Sequence, residues 1–105
     1  MASLSYHVIL TNRALTDLQA LARHIRRDSP QSAALVATRI VEAIDSLRSM
    51  PSRFPRFTGS RKRGSVVRRM VVRPFVVYYR IDERTELVQV ITISHGAQRQ
   101  PRQFD

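Results

Sequence analysis

Cysteine is absent from the 105-residue chain. That excludes disulfide frameworks, thiolate metal sites and cysteine nucleophiles, and it suits a reducing cytoplasm, the location expected. No run of 18 apolar residues occurs, so no membrane-spanning helix and no membrane partner are expected. The opening Met1-Ala2-Ser3-Leu4-Ser5-Tyr6-His7 lacks a basic stretch followed by an apolar one, so no signal peptide is expected. Glycine is scarce, and Gly59, Gly64 and Gly96 are scattered, so no phosphate-cradling loop and no nucleotide cofactor are expected. Acids are scarce too: Asp82, Glu83 and Glu86 fall together in one turn and make no hydrolytic pair. The three histidines, His7, His24 and His95, have no partner at helical or strand ligand spacing, so no metal site is expected.

Positive charge is what the chain has in excess. Eighteen Lys and Arg stand against eight Asp and Glu, for a net charge of +10. Residues 1–52 hold six Arg against four acids, and residues 53–105 hold twelve basic groups against four. A field of this sign attracts anionic partners and says nothing about fold. The apolar fraction of 43% and charged fraction of 25% are ordinary for a globular protein. Residues 1–105 make a single domain with room for one hydrophobic core.

Tyr6, Val8 and Leu10 alternate along residues 4–11 and predict a strand, with His7 on the other side. Thr11 is placed to cap a helix over Asn12–Asp28, whose stripe is Ala14, Leu15, Leu18, Leu21, Ala22 and Ile25. His24 falls off that stripe, toward solvent. Ser29 or Asp28 caps a second helix with Pro30 at its first position, and its stripe is Ala33, Val36, Ala37, Ile40, Ala43, Ile44 and Leu47. Met50-Pro51 ends it. Residues 51–65 have no periodicity and read as loop. Val66–Arg73, Phe75–Ile81 and Leu87–Ser94 read as strands in an antiparallel meander. The fold class is α+β, in the order β-α-α-β-β-β, with a helical hairpin on one face of a small antiparallel sheet.

Five motifs stand in order along the chain. They are Tyr6-x-Val8-x-Leu10-Thr11-x-x-Ala14-x-x-Asp17-Leu18, Ser29-Pro30-x-x-Ala33, Leu47-x-x-Met50-Pro51-x-x-Phe54-Pro55, Tyr79-x-Ile81, and Val90 to Gly96 with Arg99 and Pro101 beyond. Together they resemble the RelE/ParE toxins of bacterial type II toxin–antitoxin modules. The resemblance implies that family's fold and a cognate antitoxin with an acidic, amphipathic segment. Its ParE-like branch implies inhibition of DNA gyrase. Its RelE-like branch implies mRNA cleavage on the ribosome by Lys and Arg on the sheet and a Tyr near the C-terminus. Phe75 stands where a RelE-like Arg would sit, and Phe104 where that Tyr would be wanted. These departures favour the ParE-like branch. A third reading is a non-toxic antitoxin-binding module.

Residues 53–73 hold eight basic groups and no acid: Arg53, Arg56, Arg61, Lys62, Arg63, Arg68, Arg69 and Arg73. Arginine offers planar bidentate donors to phosphates or acidic patches. The ParE-like reading assigns target binding to Arg61, Lys62, Arg63, His95, Arg99 and Arg102. The RelE-like alternative takes His95, Arg69 and Tyr79 as catalytic, with His95 in acid–base work and Arg68, Arg69 or Arg99 supplying charge. Against catalysis, His95 at a strand end reads as a structural or partner-contact residue. Phe54 and Phe57, flanking Pro55, read as packing groups and not as base-stacking ones. Tyr78 and Tyr79 point to opposite faces, so one is expected in the core, and the sequence leaves open which.

Overall fold

Thr11 carries the chain from its first strand, β1 (His7–Leu10), into its first helix, α1 (Asn12–Asp28). Its hydroxyl accepts the Ala14 amide at 3.1 Å, the N-cap bond that satisfies one orphan donor of a first helical turn. The same hydroxyl donates to the Ile91 carbonyl at 2.7 Å and so ties the helix start to the last strand. The computed structural model describes residues 5–28, 30–57 and 66–96. The expected Ser29 cap lies outside them. α2 runs Pro30–Asp45 and tightens into a 3-10 turn at Ser46–Arg48. Met50 stands in the left-handed region at φ 47°, which stops helical propagation ahead of Pro51. Pro51–Arg53, expected as loop, form a second 3-10 turn.

β2 (Val67–Val72), β3 (Phe75–Asp82) and β4 (Leu87–His95) form the antiparallel meander that their short links require. The β3–β4 turn is held by Asp82, whose Oδ1 accepts the amides of Arg84 and Thr85 at 3.1 and 3.3 Å. The sheet order is β1-β4-β3-β2, and β1 runs parallel to β4. The sheet is therefore mixed, which corrects the all-antiparallel sheet expected. A tight turn fixes the direction only of the strands it joins, and β1 reaches β4 through two helices and two strands.

The helical hairpin covers one face. Ala14, Ile40, Ile44 and Leu47 meet Met70, Val77, Tyr79, Val88, Val90 and Ile93 in the main core. The α1 stripe is narrower than its sequence suggests: Leu15 is 47% exposed, because the sheet meets the Ala14–Leu18–Leu21 line and Leu15 stands one residue off it.

Tyr78 and Tyr79 do point to opposite faces, but both are buried, which corrects the expectation of one core tyrosine. Tyr79 belongs to the main core. Tyr78 belongs to a second, smaller core on the far face, with Phe57, Val67 and Val76. The cause is a strap around the β2 edge. The Phe57 amide donates to the Val67 carbonyl at 2.7 Å and the Arg69 amide to the Pro55 carbonyl at 3.0 Å. This pairing leaves Phe54 against the main core and Phe57 edge-on to Tyr78, with ring centroids 5.1 Å apart. Both phenylalanines pack, one on each side of the sheet.

Candidate functional site

One inserted residue decides where the end of β4 points. β3 and β4 pair from Phe75–His95 to Tyr78–Thr92 and resume at Tyr79–Val90, so Ile91 is extra. A bulge of this kind shifts the alternation of side chains by one position. Val88 and Val90 before it, and Ile93 after it, all face the helices. His95 shares that face and meets the Phe75 ring edge-on, with centroids 5.3 Å apart. Without the insertion it would point to the far face.

α1 and its N-cap residue supply the groups that hold this irregularity. Thr11 donates to Ile91, as above, and Asp17 Oδ2 accepts both the Thr92 hydroxyl and the Ile93 amide, the latter at 3.0 Å. Gly96 then closes against the β2–β3 turn: its amide donates to the Pro74 carbonyl at 2.6 Å. A Cβ at this position would stand 2.9 Å from the Pro74 oxygen, so only glycine fits the strand's exit without a backbone shift.

Between α1 and this end of the sheet lies an open cleft of about 420 Å³. Leu21, Phe75 and Ile93 give it apolar walls, and Asp17, His24 and His95 bring polar groups to it. It continues along α1 into a hollow of about 240 Å³ bordered by Ala20, Arg23, His24 and Arg27. Beyond Phe75, His95 also borders a hollow of about 340 Å³ with Val71, Arg73 and Gly96. In the sequence Asp17 stands in the first motif, Tyr6 to Leu18, with no role assigned to it. The signal that marks it is its place nearly two turns after the N-cap Thr11, where a helix that crosses a sheet brings its carboxylate to the strand backbone.

Of the residues proposed from sequence for target binding, His95 is at this cleft, while Arg61, Lys62, Arg63, Arg99 and Arg102 lie outside the described residues. The three groups of the catalytic alternative do not converge. Tyr79 is fully buried and donates its hydroxyl to the Pro51 carbonyl at 2.5 Å. Burial pushes its phenol up to about 12, against the lowering pull of Arg68 and Arg53. His95 lies on the same face but opposite Phe75, four residues along β3, which is about 13 Å at strand rise. Arg69 sits on the far face, where it hydrogen-bonds Tyr78 and offsets part of the rise that burial causes in that phenol.

Part of the basic run between residues 53 and 73 serves the fold. The Arg53 guanidinium caps the 3-10 turns, donating to the carbonyls of Ser46, Ser49 and Met50 at 3.3, 2.5 and 3.0 Å while lying over the Phe54 ring. Arg68 donates to the Phe54 carbonyl at 2.8 Å. Arg56 and Arg73 are exposed.

Residues 8–100 match the family model of the ParE toxin of the type II toxin–antitoxin system, parDE. The putative toxin Y4kP of Sinorhizobium fredii is 32% identical over 94 residues, covering 88% of this chain and 90% of that protein. Toxin RelE2 of Caulobacter vibrioides is 34% identical over 90 residues, covering 86% of this chain and 94% of that one. Among solved structures, the chromosomal ParDE TA system from P. aeruginosa is similar in fold, with a TM-score of 0.70 at 23% identity, covering 89% of this chain and 98% of that chain.

Proposed function

The chain belongs to the ParE toxin family of type II toxin–antitoxin systems, and from that premise we propose that it inhibits DNA gyrase by binding it on cleaved DNA, with no chemistry of its own. A cognate antitoxin neutralises it. The observation that carries this reading is the separation of His95, Arg69 and Tyr79. Phosphodiester cleavage needs a proton-transferring group and charge-stabilising donors around one phosphate. Tyr79 is spent on Pro51 inside the core, and Arg69 and His95 occupy opposite faces. An inhibitor that acts by binding has no such requirement.

The antitoxin is supported by the solved relative, itself a toxin–antitoxin system, and by the +10 charge, which accelerates encounter with an acidic partner. Expression of the chain without antitoxin tests the mechanism in cells. Growth arrest with chromosomal double-strand breaks and intact mRNA is expected. Arrest with cleaved mRNA and an intact chromosome would instead establish the ribonuclease reading, and normal growth at good soluble yield the non-toxic module.

A further inference from the structure

Ile40 and Ile44 turn one face of α2 into the main core. Thr38 is exposed and turns the other way, about 160° from Ile40 at the helical repeat. Leu35 and Val41, three residues to either side of Thr38, flank it on this outer face and are 70% and 51% exposed. The charge of α2 is its second unusual feature. Its residues hold Arg39 against Glu42 and Asp45, one base against two acids, for a net −1. No other helix or strand among the described residues sums to a negative charge, although the chain as a whole carries +10.

We infer that the outer face of α2 is a self-association surface, occupied by α2 of a second copy of this chain, antiparallel about a two-fold axis at Thr38. That register is self-complementary, as a two-fold contact requires. Leu35 of each copy meets Val41 of the other, so both exposed apolar side chains are covered twice over. The small Ala34 and Thr38 let the helices approach between them. Glu42 falls opposite Ala34 and Asp45 opposite Gln31, so no acid meets an acid. A parallel pairing would set Glu42 against Glu42 and Asp45 against Asp45. Charge selects the surface as well. Two chains of +10 repel one another through their basic faces, and α2 is where they meet with the least repulsion. A polyanionic partner matches the rest of the chain and not this helix. The 16 residues of α2 are about 24 Å long, and one such helix pair offers less than the roughly 800 Å² per partner of a standard interface, so association is weak and concentration-dependent. None of the residues that line the cleft at His95 belongs to α2, and the inference is independent of the target the toxin acts on.

The test is sedimentation of the purified full chain at up to about 0.1 mM, in about 0.1 M and about 0.5 M salt. A monomer–dimer equilibrium is expected, tighter at the higher salt because the repulsion between the two chains is screened. Leu35→Glu removes no core contact and lowers the net positive charge, so relief of repulsion alone would strengthen association. It is expected instead to weaken the dimer by about tenfold or more, with an unchanged melting temperature at low concentration. The absence of cysteine makes the axis testable by crosslinking. Thr38→Cys is expected to form a disulfide-linked dimer on mild oxidation. Gln31→Cys is expected to stay monomeric, because its two copies lie about 21 Å apart along the paired helices and a disulfide needs Cα atoms within about 7 Å. A monomer at every concentration and salt would overturn the inference. So would a dimer that Leu35→Glu leaves intact, or one in which Thr38→Cys crosslinks no faster than Gln31→Cys.

Discussion

The Asp17 carboxylate holds Ile93: its Oδ2 accepts the Ile93 amide at 3.0 Å, just after the β4 bulge, and takes the Thr92 hydroxyl as well. A bulge leaves backbone groups that the neighbouring strand cannot pair. Here Asp17 pairs the Ile93 amide and Thr11 the Ile91 carbonyl, and the direction of His95 follows.

Asp17→Ala leaves the Ile93 amide and the buried Thr92 hydroxyl without their acceptor. The expected loss is about 2–4 kcal/mol in urea unfolding, because hydrogen bonds to a charged acceptor are among the stronger ones. Asp17→Asn retains an oxygen acceptor and is expected to lose less. Equal stability of the alanine variant and the parent would show that the bulge holds itself.

Tyr79→Phe removes the donor to the Pro51 carbonyl and is expected to cost about 1–2 kcal/mol. The same residue sets an alkaline limit. Its phenol is raised from about 10 to about 12 by burial, so the fold favours the protonated form. That stability is fully present below pH 10 and is lost as pH climbs toward 12. The parent is therefore expected to lose stability across this interval more steeply than Tyr79→Phe, measured by urea titrations at stepped pH. Toxicity of Tyr79→Phe is expected to match the parent's in cells at equal protein level.

Phe57 and Tyr78 hold the strap against the far face through one edge-to-face ring pair at 5.1 Å. Phe57→Leu and Tyr78→Leu keep apolar volume and remove the ring geometry. A double-mutant cycle is expected to show coupling of about 0.5–1.5 kcal/mol. Strict additivity would mean that the rings contribute by burial alone.

The helices were legible because their signals are local. Thr11 and Pro30 start them, the apolar spacing runs through them, and α1 spans the residues its pattern marks. The three later strands were legible for the same reason. The direction of β1 was not, because a parallel neighbour reached across most of the chain leaves no turn signature. The second core was hidden as well. Only one of Tyr78 and Tyr79 is expected in a core until residues 55–57 are known to fold around the β2 edge and bring Phe57 over Tyr78. At the candidate site His95 stood out as a strand-end histidine, but the face it occupies depends on a one-residue bulge at Ile91 that alternation alone cannot locate. Arg53 and Arg68 counted toward a basic patch in the sequence and are committed to backbone carbonyls in the fold. Charge counting does not distinguish a capping arginine from a binding one.

Gyrase incubated with relaxed plasmid, ATP and the purified chain measures the central claim directly. Inhibited supercoiling with trapped double-strand breaks, both abolished by antitoxin, is the result predicted. Normal supercoiling with no breaks, from folded protein that still arrests growth, would contradict the account and direct the search to translating ribosomes.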